Sequence, residues 1–264
     1  VNDLVIGLTG ETAFAEADVA FNITGGSGND IVTLGSNADT VSGAAGTDTI
    51  TTGGGNDSVD GGAGNDTIVA GAGDDTIADS ADNDQVTGGA GADTINASTG
   101  TDDIRYSSRS DGAAATKITG MDVLTNFTEG TDTMSFDSSV LINGNLGNFA
   151  ITIFESGGAV DLNAANNIGV FVLETITDLA SDGLSEAATA IAARASNETA
   201  DDAFIFVSDD GTDTYFLSWD DRVANGGDGD GAVDAAELVI LAKFAGAGDA
   251  HEAGYQATGD FIIY

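Results

Sequence analysis

A nine-residue period runs without insertion or deletion from Gly25 to Arg105. Its nine units are GGSGNDIVT, LGSNADTVS, GAAGTDTIT, TGGGNDSVD, GGAGNDTIV, AGAGDDTIA, DSADNDQVT, GGAGADTIN and ASTGTDDIR. A fixed period of this kind indicates a repeat architecture, in which one unit cannot bury its apolar side chain alone but stacked units can. The period therefore constrains the fold more than any other feature of the chain.

Two positions of the unit hold one kind of residue throughout. The eighth is always Val or Ile, and a flexible linker rich in Gly and Asp would have no reason to keep this phase. We expect these β-branched residues to form very short strands, with their side chains pointing inward. Glycines at the first, second and fourth positions allow sharp turns between the strands. The sixth is always aspartate: Asp30, Asp39, Asp48, Asp57, Asp66, Asp75, Asp84, Asp93 and Asp102.

Stacked units would place these aspartates one above another at the turns. The chain has 44 acidic and 6 basic residues and a net charge of −38, so a cation is needed to hold such a stack together. Ca²⁺ fits best, because it accepts about six to eight oxygen ligands in a flexible shell. Zn²⁺ would require His or Cys, of which the chain has one and none, and Mg²⁺ would require strict octahedral geometry.

The units resemble the GGxGxDxUx nonapeptide of RTX (repeats-in-toxin) proteins. This resemblance implies a mainly β fold, a right-handed parallel β-roll with two nonapeptides per turn and Ca²⁺ between turns. The nine aspartates, taken two units apart, give seven pairs: Asp30/Asp48, Asp39/Asp57, Asp48/Asp66, Asp57/Asp75, Asp66/Asp84, Asp75/Asp93 and Asp84/Asp102. At the first pair, the implied backbone ligands are the carbonyls of Gly26, Gly28, Gly43 and Ala45. Elsewhere they are Gly35, Asn37, Gly46, Gly53, Gly54, Gly55, Gly61, Gly62, Ala63, Gly64, Gly71, Gly73, Gly88 and Ala90.

The sequence departs from this pattern at Asn37, at residues 79–82, and at residues 97–99, which lack the leading glycine pair. Asn37 replaces a glycine, and the segment from Asp79 to Asp82 has none, so the sites there are either weaker or recruit the Asp79 and Asp82 carboxylates. Residues 106–113 fit a degraded tenth turn, in which Asp111 would make an eighth site opposite Asp93. We therefore expect about seven or eight Ca²⁺ ions in the roll.

Three domains are predicted: an N-terminal cap over residues 1–24, the β-roll over 25–111, and a β-rich C-terminal capping and secretion-signal domain over 112–264. Ile23 falls in the phase of the inward position.

Residues 122–137 resemble the linking strand that follows RTX arrays, with Asp122 and Asp132 as calcium ligands or solvent-facing turn residues. Residues 184–195 predict a helix, and residues 203–208 and 214–219 predict a hairpin.

A second acidic loop precedes the apolar segment that ends at Leu241. Its residues Asp228, Asp230, Asp234 and Glu237 fit positions three, five, nine and twelve of an EF-hand loop, but Gly226 at position one has no side-chain oxygen. The loop is therefore either a further calcium site or an acidic turn. The final residues, GDFIIY, are similar to type I secretion signals.

No catalytic motif is found, and His251 is the only histidine. The negative charge argues against nucleic-acid binding, and the longest apolar runs are too short to insert into a membrane. Because the chain begins at Val1 without a leader, we expect it to come from a longer polypeptide.

These features predict a noncatalytic, calcium-dependent module of a secreted or cell-surface bacterial protein of surface-layer type. It would fold after export by the type I machinery and would contact other copies or a cell-surface glycan. The alternatives are the RTX tail of a secreted protease or lipase, and an adhesin module that binds ice or glycan.

Overall fold

The computed structural model describes thirteen segments of the chain. They are residues 5–7, 19–108, 111, 121–127, 131–136, 154–156, 160–161, 170–173, 195–196, 203–209, 214–220, 238–244 and 261–263. Nearly all of the repeat region lies in the second of these segments. The fold of the repeats is therefore described without interruption.

The repeat region and its immediate flanks form thirteen short strands within the described segments. They are β1 (Val5–Gly7), β2 (Asn22–Gly26), β3 (Ile31–Thr33), β4 (Thr40–Ala45), β5 (Thr49–Gly54), β6 (Ser58–Ala63), β7 (Thr67–Ala72), β8 (Thr76–Ala81), β9 (Gln85–Ala90), β10 (Thr94–Asn96), β11 (Asp103–Tyr106), β12 (Asp122–Thr125) and β13 (Thr133–Phe136). Odd-numbered strands follow one another in one sheet and even-numbered strands in a second sheet. The chain thus crosses between the two sheets after every unit.

Each strand of the array pairs in parallel with the strand eighteen residues further along, so that equivalent positions of alternate units lie side by side. Val41 is paired with Val59 in one sheet, and Ile50 with Ile68 in the other. Ile23 is paired with Val41, which confirms its predicted phase. The predicted parallel solenoid with two nonapeptides per turn is confirmed.

Each unit contributes two side chains to the interior, and these form two rows along the solenoid. The eighth-position residues from Val32 to Ile104 are at most 2% exposed. Burying each such Val or Ile contributes about 1.5–3 kcal/mol. The first position also points inward, which the repeat pattern did not indicate: Leu34, Thr52, Ala70 and Ala97 are all buried. The narrow space between the sheets explains why most residues of this row are small.

The turns require left-handed backbone at the second and fourth positions. Gly71 has φ +117°, and a methyl group on it would lie 2.0 Å from the carbonyl oxygen of Gly53 in the turn below. Units without glycine keep the same conformation, as at Asn37 (φ 119°) and Ser80 (φ 76°). Such residues cost about 1–3 kcal/mol each, so the stack overrides local preference there.

The tenth turn is not built from the residues expected. Instead β10 pairs with β12, which places Leu124 beside Ile95, and β11 pairs with β13, which places Met134 beside Ile104. The prediction that Asp111 occupies the sixth position of a tenth turn is therefore wrong. Ala113 would stand at the inward position of that turn, whereas β12 and β13 supply buried Leu124 and Met134.

The remaining strands are β14 (Phe154–Ser156), β15 (Val160–Asp161), β16 (Val170–Leu173), β17 (Ala195–Ser196), β18 (Ala203–Asp209), β19 (Thr214–Asp220), β20 (Leu238–Phe244) and β21 (Phe261–Ile263). The predicted hairpin is confirmed, since β18 and β19 are antiparallel with Asp209 opposite Thr214. β20 pairs in parallel with β12, and β21 with β13, so both sheets continue past the repeats.

The helix predicted over residues 184–195 is not supported. Residues 184–194 lie outside the described residues, and Ala195 begins β17. The EF-hand-like residues Asp228, Asp230, Asp234 and Glu237 also lie outside the described residues, immediately before β20.

Candidate metal centre

The sixth-position aspartates form two continuous ladders along the edges of the solenoid. In each step, the backbone N–H of one aspartate donates to Oδ1 of the aspartate eighteen residues later, as from Asp48 to Asp66 at 2.8 Å. Each of the seven predicted pairs is joined in this way, with N···O distances of 2.7–3.0 Å. The repeat therefore brings together all the carboxylates that the spacing paired.

The second carboxylate oxygen of most ladder residues is buried without a hydrogen-bond donor among the described residues. These Oδ2 atoms belong to Asp48, Asp57, Asp66, Asp75, Asp84, Asp93 and Asp102, whose residues are at most 3% exposed. A buried polar atom without a partner costs about 1–3 kcal/mol, and more when it is charged. A row of such oxygens therefore requires a cation or protons.

Backbone carbonyls approach the same places. A methyl group placed on Gly43 would lie 2.2 Å from Oδ2 of Asp48 and 2.5 Å from the carbonyl oxygen of Gly61. One carboxylate oxygen and one carbonyl oxygen of the next turn thus converge where the absence of a Cβ leaves room. Hard oxygen donors of these two kinds are the ligands that Ca²⁺ prefers.

Not every predicted backbone ligand is placed alike. The carbonyls of Gly54, Ala63 and Ala90 already accept N–H donors of the preceding turn, at 2.6–2.8 Å. The carbonyls of Gly28, Gly53, Gly55, Gly71 and Gly73 instead face the glycine directly above them. The first-position carbonyls of Gly43 and Gly61, both predicted as ligands, lie beside Oδ2 of Asp30 and Oδ2 of Asp48, respectively.

Burial raises the pKa of seven ladder aspartates above the ordinary value of 3.8, namely Asp39, Asp48, Asp66, Asp75, Asp84, Asp93 and Asp102. The pKa is raised to about 6 for Asp66 and Asp75, and to about 7 for Asp84 and Asp93. Loss of solvent is the largest cause and the neighbouring carboxylates add to it, while the backbone N–H donors oppose it. The ladders thus hold negative charge only at a cost that a bound cation would remove.

No basic side chain offsets this charge in the continuous segment 19–108. The ion pair described there joins Arg105 Nε to Asp103 Oδ2 at 2.7 Å, on the outer, half-buried face of β11. The sixth-position carboxylates belong instead to the buried edges. The arrangement therefore fits an external cation better than an internal salt bridge.

The repeats also match a known family. The model for the RTX calcium-binding nonapeptide repeat (4 copies) matches residues 22–50, 42–77 and 69–104. Residues 22–104 are RTX calcium-binding nonapeptide repeats. Proteins with these repeats are typically secreted, and the repeats bind calcium. No helix among the described residues is long and apolar enough to cross a membrane.

Two solved structures are similar to the chain as a whole. The AlgE6R2 subunit of the Azotobacter vinelandii mannuronan C5-epimerase is 15% identical, with 88% of this chain and 92% of that chain covered and a TM-score of 0.37. The AlgE6R3 subunit of the same enzyme is 18% identical, with 97% and 84% covered and a TM-score of 0.29. No curated protein matches the sequence.

The aspartate ladders of the RTX array extend beyond its last unit. The N–H of Asp93 donates to Oδ1 of Asp122 at 2.9 Å, and that of Asp102 to Oδ1 of Asp132 at 3.0 Å. Asp122 is 1% exposed, and burial together with Asp93 raises its pKa well above the ordinary range. The offsets of 29 and 30 residues explain why the nine-residue period alone does not reveal these two steps.

Asp111 lies near this end of one ladder but has a local role. Its Oδ2 atom accepts the N–H groups of Ser107 and Ser108, both at 2.7 Å, and the Ser107 hydroxyl at 2.9 Å. These bonds hold the chain as it leaves β11. The place opposite Asp93 belongs to Asp122.

The fifth positions of the RTX array form a further, polar ladder, which was not predicted from the sequence. The side-chain oxygen at the fifth position accepts the N–H of the fifth residue one turn later, at 2.9–3.2 Å. This direction is opposite to that of the aspartate ladder. The frequent Asn at this position was the available signal; the pairs are Asn29/Thr47, Asn56/Asp74, Asn65/Asn83, Asp74/Ala92 and Asn83/Thr101.

Proposed function

We propose that the chain is a calcium-dependent structural module of a secreted bacterial cell-surface protein, of surface-layer type. The single observation that carries the proposal is the row of buried Oδ2 atoms along both edges of the RTX array, which have no hydrogen-bond donor in the described part of the chain. Such a row is unstable when it is charged and is stabilised when divalent cations fill it. A fold with this property depends on the calcium concentration.

The ions would be held between successive aspartates of each ladder, with backbone carbonyls completing each shell. Ca²⁺ supplies positive charge where segment 19–108 offers no basic side chain besides Arg105, so its binding free energy becomes folding free energy. Seven such steps lie within the nonapeptide units, and Asp122 and Asp132 add one step to each ladder. The EF-hand-like loop at Asp228 is proposed as a further site outside the array.

The chain would be exported through the type I machinery before it folds. Where calcium is scarce, the carboxylates of each ladder repel one another, and the array stays unfolded. Outside the cell, Ca²⁺ is abundant, and sites with dissociation constants of about 10⁻⁴ to 10⁻³ M suffice to fold the array. The cap over residues 1–24, the roll over 25–111 and the segment 112–264 are proposed as its three parts.

The way in which the buried carboxylates are used supports a noncatalytic role. The buried aspartates are engaged in ladders along the whole array, which suits a rigid, acidic scaffold that contacts other copies or a cell-surface glycan. The alternatives remain an RTX tail of a secreted enzyme or an adhesin module. A protease or lipase domain upstream in the full-length protein would favour the first of these.

The test is a calcium titration of the chelated protein, followed by far-UV circular dichroism and light scattering. We expect β-structure to appear as calcium rises, with Mg²⁺ much less effective at equal concentration. Large ordered particles that form only with calcium support the surface-layer role. Equal β-structure in excess chelator refutes the folding switch, and a folded monomer at all calcium concentrations refutes assembly.

A further inference from the structure

Asp79 breaks the repeat in a way that the regular steps do not explain. It stands at the first position of its unit, in the inward row occupied on the same edge by Gly25, Gly43, Gly61 and Ala97. Its side chain is nevertheless completely buried. A charged residue at a position that is otherwise small and apolar needs a physical reason.

The Asp79 carboxylate joins two carboxylates of the aspartate ladder. One oxygen from each of Asp79, Asp84 and Asp102 lies within 4.8 Å of the other two. These residues are 0%, 3% and 1% exposed. No other group of three metal-ligating side chains this close occurs in the part of the chain that the structure describes.

Each carboxylate of this cluster uses one oxygen and leaves the other without a donor. Oδ1 of Asp79 accepts the N–H of Ser98 at 2.8 Å, while Oδ1 of Asp84 and of Asp102 accept the ladder N–H groups of Asp66 and Asp84. All three Oδ2 atoms are buried with no hydrogen-bond donor among the described residues. Three unsatisfied oxygens in one place point to a ligand.

The charge of the cluster is also unusual. A regular step of the ladder has two carboxylates, whereas this step has three. Burial raises the pKa of Asp79 to about 6 and that of Asp84 to about 7; the charge of Asp102 adds to both shifts, and that of Asp79 adds to the shift of Asp84. Asp82, predicted as an alternative ligand, is exposed and lies outside the cluster.

We propose that Asp79, Asp84 and Asp102 form a three-carboxylate cation site that binds Ca²⁺ more tightly than the two-carboxylate steps and also accepts a trivalent lanthanide. The inference rests on the proposed calcium-binding function of the array. Affinity for Ca²⁺ rises with the number of charged ligands, so this site fills first as calcium rises. It therefore orders the C-terminal end of the array before the rest.

The test measures Ca²⁺ affinities of the full chain by competition with a chromophoric chelator. We expect one ion to bind about tenfold or more tighter than the others in the wild type. Asp79→Asn retains the oxygen that accepts the Ser98 N–H but removes the charge, and should abolish this tight step. Asp79→Gly restores the residue found at Gly43 and Gly61 and should do the same.

Asp82→Asn is the matched control, because it removes the same charge from an exposed neighbour and should keep the tight step. La³⁺ should displace the tightly bound ion first. Equal affinities in the wild type, or a tight step that survives in both Asp79 variants, overturn this inference while the calcium function stands. A wild-type chain that binds no calcium would instead refute the proposed function itself, and this site with it.

Discussion

Replacing Asp66 by Asn should change stability in opposite directions with and without calcium. Asp66 stands in the middle of one ladder, 2% exposed, and its Oδ1 accepts the N–H of Asp48. The amide oxygen of the substituted side chain would keep this acceptor. The amide NH₂ group would replace Oδ2 on the side of the Asp79 carbonyl, because a Cβ added to Gly61 would lie 2.7 Å from that Oδ2 and 3.2 Å from that carbonyl oxygen.

The magnitude without calcium follows from the pKa of Asp66. A rise from 3.8 to about 6 corresponds to about 3 kcal/mol at a pH well above 6, since one pKa unit is about 1.4 kcal/mol. Solvent screening reduces this figure, so we expect Asp66→Asn to stabilise the calcium-free fold by about 1–3 kcal/mol. With calcium, the same change removes a ligand shared by two steps. A hundredfold loss of affinity at each would remove about 5 kcal/mol of binding free energy. After the gain of about 1–3 kcal/mol in the calcium-free fold is subtracted, the calcium-bound fold should be destabilised by about 2–4 kcal/mol.

The assay has two arms at about pH 8, both followed by far-UV circular dichroism. Folding in excess chelator is induced with a stabilising osmolyte, and unfolding in saturating calcium is induced with urea. Asp74→Asn is the control, because Asp74 is exposed and its Oδ1 accepts the N–H of Ala92, a bond that Asn retains. The reasoning fails if Asp66→Asn destabilises the chelated protein, or leaves the calcium-bound protein unchanged.

Three further predictions concern the turns, the core and pH. Gly71→Ala should lower the free energy of urea unfolding in calcium by about 2 kcal/mol or more, because the φ of Gly71 is +117° and the added methyl group would clash with the Gly53 carbonyl. Gly54→Ala is the control: the nearest atom to its added methyl group is 3.8 Å away, so the free energy of unfolding should change by less than about 1 kcal/mol. An equal loss in both would contradict the stacked-carbonyl geometry. Ile68→Ala should cost about 2–5 kcal/mol in the same assay, since Ile68 is 0% exposed, and a loss below about 1 kcal/mol would contradict its place in the core. In excess chelator, stability should be greatest below about pH 4 and should be lost as pH rises through about 7, because Asp84 and Asp93 bind protons more strongly when folded; circular dichroism that improves with pH in chelator would contradict this.

The repeat was enough to predict the solenoid, because two fixed positions set both the register and the core. Val41 and Val59 are neighbours for the same reason that Asp39 and Asp57 are: eighteen residues make one turn. The first-position inward row was not evident, since its residues vary in type. Most of them share a small volume, as do Thr52 and Ala70, and this property has a meaning only once the two sheets are known to face each other.

The end of the array could not be located from the period. Asp122 and Asp132 continue the ladders across offsets that no repeat specifies, and the choice of β12 over residues near Asp111 depends on burying Leu124. The cluster at Asp79 could be predicted from the sequence only in part. The sequence showed extra carboxylates at Asp79 and Asp82, but the inward direction of the first position decides which of them joins the ladder.

The central claim is that the buried aspartate ladders hold calcium ions. Equilibrium dialysis of the full chain against saturating calcium, with protein-bound calcium determined by atomic absorption, counts these ions directly. If the ladders hold calcium, we expect at least about seven ions per chain, one for each pair of nonapeptide aspartates eighteen residues apart. A folded chain that binds two ions or fewer would contradict this claim.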